Sequence, residues 1–240
     1  MKRFLNGGIA STCVGALLVV ASCAHDDSSL FVRQVMAPQG GSSGGDSCSY
    51  KSDPTQPFLA SGVVDVGFLA SYRPIVLVGN QLSPTQKTES FRTETARVSL
   101  QGATVSLTDT QGNELTSFST LAAGFVDPSA GKEPGWGVTE VTLIDPKTVD
   151  SLRTQIPAGG TKKLVARFKV FGQTLGGQSV ETNEAQFPID VCFGCLVFRP
   201  ADATCDATAD LGSVATPCVF GQDQAIDCRL CRGNPLCAQQ

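Results

Sequence analysis

The sequence predicts a mainly β fold: an antiparallel β-sandwich closed by a disulfide-rich, irregular C-terminal cap. Three observations carry this. Apolar residues recur at every second position through most of 61–191. Only the stretch after Asp145-Pro146 carries the start signals of a helix. Seven cysteines crowd into 192–240, where Gly, Pro, Asp and Ala fill the gaps and few core formers remain.

Taken in order, Val64, Val66 and Phe68 alternate with Asp65 and Gly67, the pattern of a half-buried strand. Ile75-Val76-Leu77-Val78 is a continuous apolar run closed by the turn pair Gly79-Asn80, which suits a central strand. Ala96, Val98 and Leu100 alternate with Arg97 and Ser99, and Gly102 then bends the chain into Val105 and Leu107. Asp109 to Asn113, with Gly112, reads as a hairpin turn before a strand over Leu115 to Phe118. Val138 to Ile144 forms another strand. Asp145 as N-cap and Pro146 at the first helical position start one short helix, with Val149 and Leu152 on one side and an end near Pro157.

The clearest alternation follows: Leu164, Ala166, Phe168 and Val170 against Lys163, Arg167 and Lys169. Gly172, Gly176 and Gly177 turn the chain into Val180, and a last strand sets Phe187, Ile189 and Val191 on one face. Pro188 cannot donate to a ladder, so this strand is expected at a sheet edge or with its N–H side outward. About eight short strands with one helix indicate an immunoglobulin-like antiparallel β-sandwich over 61–191, with a small barrel as the alternative.

The N-terminus reads differently. Lys2 and Arg3 precede an apolar run from Gly8 to Ala21, the layout of a secretory signal over 1–22. That run is shorter than the roughly 20 residues a helix needs to cross a bilayer. Val20-Ala21-Ser22-Cys23 resembles the lipobox of bacterial lipoproteins. The resemblance implies that Cys23 gains a diacylglycerol on its thiol, becomes the first residue after cleavage, and is then acylated on its amine. Two or more acyl chains hold a protein firmly where one does not. The membrane is therefore an expected partner, through N-terminal acyl chains. By resemblance to the enterobacterial lipoprotein sorting rule, the absence of Asp at Ala24 implies the outer membrane, with periplasmic or surface face left open. Residues 23–60 are expected to be a tether, rich in Gly and Ser over Gly40 to Gly45, with a reach of about 25–30 Å. Leu30-Phe31-Val32 within it is apolar enough to dip into the membrane interface.

Of ten cysteines, Cys13 leaves with the signal and Cys23 is acylated. The remaining eight are Cys48, Cys192, Cys195, Cys205, Cys218, Cys228, Cys231 and Cys237. An even number in an exported chain indicates disulfides, although eight cysteines allow on the order of a hundred pairings. A cap this poor in core formers needs such staples, and Cys48 is expected to pair into it. Cys192-Phe193-Gly194-Cys195 and Cys228-Arg229-Leu230-Cys231 also have metal-ligand spacing. The gap between them exceeds the roughly 15–20 residues of a zinc ribbon, and an oxidising compartment favours disulfides, so no metal is assigned. No βαβ unit surrounds either motif, which counts against a redox pair.

Charge and composition exclude several functions. Eighteen basic residues face 22 acidic ones, and no basic stripe exists to neutralise phosphates, so nucleic acid is excluded as a partner. The one histidine, His25, lies in the tether, which removes Ser-His-Asp and Cys-His catalysis. Asp65, Glu140, Asp145, Glu181 and Glu184 fall at strand faces or turns, where solvated charge is the ordinary reading. Asp202, Asp206 and Asp210 lack the alternating ligands and Gly of a calcium loop. No catalytic residue and no cofactor is assigned. Trp136, the single tryptophan, is expected to be buried where it opens a strand; exposed, it would be a platform for a sugar ring.

Leu77-Val78-Gly79-Asn80-Gln81-Leu82, Arg92-Thr93-Glu94, Phe187-Pro188-Ile189-Asp190-Val191-Cys192 with Gly194-Cys195-Leu196, and Gly221-Gln222-Asp223 running to Cys228-Arg229-Leu230-Cys231 resemble a group of uncharacterised Cys-rich outer-membrane lipoproteins of myxobacterial type. The resemblance implies the anchoring and the architecture, and no site residues. The expected function is a non-catalytic structural or binding role in the cell envelope. The alternative is a surface module that binds polysaccharide or protein.

Overall fold

Strand pairing begins ahead of the region where alternation is obvious. In the computed structural model, which describes residues 29–39, 48–84, 94–201, 205, 211 and 214–238, Leu30–Met36 form β1. Phe58–Leu59 (β2), Gly62–Asp65 (β3) and Ile75–Asn80 (β4) follow. Val98–Asp109 (β5) and Glu114–Val126 (β6) make a long hairpin, and Gly135–Glu140 is β7. After the helix α1 (Pro146–Gln155) come Thr161–Thr174 (β8), Ser179–Glu181 (β9) and Ala185–Cys192 (β10). One sheet has the order β2-β1-β4-β7. The other runs β3-β10-β8-β5-β6, with β9 also paired to β8.

The two sheets share one core. Leu30, Val35, Val76 and Val78 from the first meet Leu100, Val105, Phe168 and Ile189 from the second. On β8, Leu164, Ala166, Phe168 and Val170 are buried, as the alternation predicts. The outward lysines and arginine pair with acids across the ladder: Lys163 with Asp190, Arg167 with Glu184 and Lys169 with Glu181. Helix α1 starts at Pro146 and buries Val149 and Leu152, as predicted; Asp145 holds the N-cap position, but its carboxylate accepts the Thr148 hydroxyl and no backbone N–H. The hairpin turn is held by Asp109, whose carboxylate accepts the N–H groups of Gln111 and Asn113 at 2.9 Å each.

Two bulges keep the core sides aligned. Arg33 has no partner in a register that passes from Val32↔Val78 to Gln34↔Leu77. Leu30 and Val35 therefore both enter the core although an odd number of steps separates them. Gln101 does the same in β5: Val98 and Leu100 before it, and Ala103, Val105 and Leu107 after it, are all buried. The bend expected at Gly102 is this bulge inside one strand.

Several expectations are corrected. The stretch 30–36 is not tether, because its apolar residues pair with β4; Leu30 is fully buried and cannot dip into a membrane. The Gly/Ser run, 40–47, lies outside the described residues, as do Cys23, His25, Asp202, Asp206 and Asp210. The larger sheet is not wholly antiparallel, since β3 and β10 run parallel, from Ile189↔Gly62 to Cys192↔Asp65. The strand holding Pro188 is interior rather than an edge. β3 pairs with it only from Ile189 onward, so the missing N–H falls where one side is open.

From Cys192 the chain forms only short elements: a parallel pair, Val197–Phe198 (β11) with Ile226–Asp227 (β12), a 3-10 turn at Cys228–Cys231 and the single turn α2 (Pro235–Ala238). Ile226, Cys228, Cys231 and Cys237 bury themselves here against Phe68, Leu196 and Phe220. The cysteines pair as Cys48–Cys218, Cys192–Cys195, Cys205–Cys228 and Cys231–Cys237, with Cα–Cα distances of 5.3 to 5.9 Å. These distances are ordinary for disulfides. Cys48 thus joins the cap, as expected from its isolation in the sequence.

Candidate functional site

The densest polar arrangement lies where the cap meets the sheets, and β3 is its axis. One edge of β3 pairs with β10; the other receives Gly221-Gln222-Asp223. The Asp65 N–H donates to the Gly221 carbonyl (2.8 Å) and the Asp223 N–H to the Val63 carbonyl (2.9 Å). The segment thus continues the sheet and covers an edge that would otherwise be open. Gln222 clamps the backbone of Arg73: its Oε1 accepts the Arg73 N–H (3.1 Å) and its Nε2 donates to the Arg73 carbonyl (3.2 Å).

Asp223 has a positive φ of 59°, rare for a residue other than glycine. This turns its side chain inward. The Val63 N–H donates to its Oδ1 (2.8 Å), and the Tyr72 hydroxyl donates to the carboxylate, 3.0 Å from each oxygen. Burial raises the Asp223 pKa to about 6, against the opposing pull of these hydrogen bonds. Burial and the nearby Asp223 charge likewise push Tyr72 well above the usual tyrosine range. Gly62 is needed beside this pair, because a Cβ there would collide with the Tyr72 ring and hydroxyl.

A second carboxylate, Asp65, is fully buried at the end of β3, contrary to the solvated reading. It accepts three backbone N–H groups: Gly67 (3.0 Å), Gly194 (2.8 Å) and Leu196 (3.1 Å). Gly194 lies in the loop closed by Cys192–Cys195, and Leu196 directly follows it. An Asp65 carboxylate oxygen and the two sulfurs all lie within 4.8 Å of one another. The sulfurs are bonded to each other, and the carboxylate is engaged by the backbone. The zinc-ribbon arrangement is not built: Cys228 joins Cys205 and Cys231 joins Cys237, so the two CxxC motifs serve three different disulfides. The loops they close differ in size. By chain entropy, Cys48–Cys218 stabilises by about 5 kcal/mol and Cys192–Cys195 by about 2 kcal/mol.

The remaining predicted residues are separate from this junction. Trp136 is half-buried on β7, the edge of the four-stranded sheet. The register aligns Phe31, Gly79 and Trp136 in one row, and the row faces away from the core that Val32 and Val78 enter. Phe31 lies across Gly79, where a Cβ would strike its ring, and meets Trp136 edge-on at 5.6 Å. Trp136 is therefore half-buried rather than buried, and it shares the outward face with Phe31. Glu140, Glu181 and Glu184 are in surface ion pairs with Arg73, Lys169 and Arg167. A crevice of about 430 Å³ opens between β1–β2 and β8–β10. Val35, Phe168 and Phe187 form its floor, with the bulged Arg33 and the exposed Phe58 at its mouth. This is the size of a small-ligand site.

Sequence reasoning missed Asp223, Gln222 and Tyr72 as a unit. Their sequence separations of about 150 residues left only one trace, a Gly-Gln-Asp turn between two cysteines. No protein-family model matches the chain, and no curated protein matches it.

Proposed function

We infer that this is a lipid-anchored, non-catalytic protein of the bacterial cell envelope, held in the outer membrane through acyl chains on Cys23. Its β-rich body is read as an immunoglobulin-like sandwich with a stapled cap, a form that suits a structural or binding role outside the cytoplasm. The observation that carries this reading is the set of four cysteine pairs at disulfide distance, because such a set persists in oxidising compartments. Val20-Ala21-Ser22-Cys23 supplies the anchor. Fractionation and intact-mass analysis of the native protein test it. A diacylglyceryl-modified, N-acylated Cys23 in the outer-membrane fraction is expected, with Cys23→Ala released in soluble form. A Cys23→Ala protein that stays membrane-bound overturns the reading.

A second reading, a polysaccharide-binding surface module, is favoured by the outward row of Phe31 and Trp136. Trp136 is the only tryptophan, so its fluorescence reports directly on that face. Quenching by an envelope polysaccharide that Phe31→Ala abolishes is the expected result. Unchanged fluorescence across envelope polymers removes this reading.

A further inference from the structure

The four disulfides are not alike in what surrounds them. Cys228, Cys231 and Cys237 are buried, and their bonds hold the small core of the cap. Cys48 is exposed, but its bond joins the cap to a segment 170 residues away. The Cys192–Cys195 pair combines a fully buried sulfur residue with an exposed one, three positions apart.

The backbone around that pair is held without it. Asp65 accepts the N–H groups of Gly194 and Leu196. The Val66 N–H donates to the Cys192 carbonyl (2.8 Å), the Gly159 N–H to the Phe193 carbonyl (2.9 Å) and the Ile226 N–H to the Leu196 carbonyl (2.7 Å). None of these hydrogen bonds involves the sulfurs, so the loop has a hold that is separate from the S–S bond. A bond that staples so small a loop, already fixed by hydrogen bonds, adds little as a staple. Exposed disulfides of this kind are the ones open to exchange.

We propose that Cys192–Cys195 is a reversible thiol–disulfide exchange site that accepts an electron pair from a protein dithiol, with Cys195 as the sulfur attacked. A thiolate of the dithiol forms a bond to Cys195 Sγ while the Cys192–Cys195 bond breaks, and Cys192 leaves as a thiolate that takes up a proton. The second thiolate of the dithiol then attacks its own partner sulfur in the mixed disulfide and releases Cys195 as a thiol. The dithiol loses two electrons and two protons, and the Cys192–Cys195 pair gains both. Asp65 is a positioning residue that holds the loop through both states. This activity stands independently of the acyl anchor.

The test treats the oxidised full chain with limiting dithiothreitol, then with an alkylating agent, and maps the labelled cysteines by mass spectrometry. Cys192 and Cys195 should be labelled at least about tenfold faster than any other pair. The melting transition should be retained, and glutathione disulfide should restore the bond. In Cys192→Ser, a single-cysteine CxxS peptide activated as its thiopyridyl disulfide should be captured on Cys195, with thiopyridone as the leaving group. In Cys195→Ser it should not be captured on the buried Cys192. Earlier opening of Cys48–Cys218 or of a cap disulfide, collapse of the fold on reduction, or equal capture by both variants would overturn the proposal.

Discussion

In the two main sheets the hydrophobic core is aliphatic and aromatic, from Leu30 to Val191, whereas the cap's own core is Ile226 together with Cys228, Cys231 and Cys237. The first region is held by apolar area rather than by covalent links, since among the described residues no disulfide joins the two sheets. The second has too little apolar surface to balance the entropy of ordering its chain, and covalent links supply the difference. The join between them has one covalent link, Cys48–Cys218, and one apolar contact through Phe68, and the rest is polar. Its polar part is a strip of sheet hydrogen bonds along β3, with the half-buried acid Asp223 at its centre. A region's means of support therefore follows its composition, and the interface between regions is where the polar chemistry collects.

Four changes should sharpen or break this contrast, in falling order of effect. Phe168→Ala removes the largest fully buried side chain of β8 and should cost about 3–5 kcal/mol in denaturant unfolding. If the contrast holds, the cap loses its dock in the same transition. Cys48→Ser, compared in a background that also lacks the partner thiol at Cys218, should cost about 2–5 kcal/mol. Here proteolysis should strike the cap first and leave the sheets protected; loss of both together would mean that the regions are one unit.

Asp223→Asn is next, and its signature is pH dependence. The Asp223 pKa is raised to about 6 from an ordinary 3.8. The folded state thus holds this proton more tightly than the unfolded one. The resulting stability is complete below pH about 4 and is lost as pH rises through about 6. The full span is at most about 3 kcal/mol. Melts of the native protein between pH 4.5 and 7.5 should fall with rising pH, and Asp223→Asn should flatten that slope. Asp227 works oppositely. The Arg229 side chain that hydrogen-bonds to it holds its carboxyl below the usual range, so its contribution disappears only as pH falls further. The smallest effect belongs to Lys163→Ala. Its exposed pair with Asp190 should be worth less than about 1 kcal/mol by double-mutant cycle.

The parts legible in the sequence are those whose signal is local. β8 alternates cleanly, α1 carries Asp145 and Pro146 at its start, and the Asp109 turn has its own hydrogen-bonding acid. β1 escaped because Arg33 breaks its alternation and a Gly/Ser run follows, so composition outweighed pattern. Half of β6 escaped because it buries almost nothing: Leu121 is 88% exposed and Phe125 51%. The parallel pairing of β3 with β10 and the meeting of Tyr72 with Asp223 join distant parts of the chain, and no periodicity encodes a partner. The two CxxC motifs look equivalent on paper. Their different fates depend on which other cysteine each loop brings near, a property of the folded path alone.

The extra residues at Arg33 and Gln101 make chain length, more than residue identity, the thing to protect in β1 and β5. Removing either one would turn the following half-strand over, sending Val35 or Val105 to solvent and its polar neighbours inward. A deletion there should be far more damaging than any replacement at the same position, because a lost residue reverses a whole row where a replacement alters one member of it.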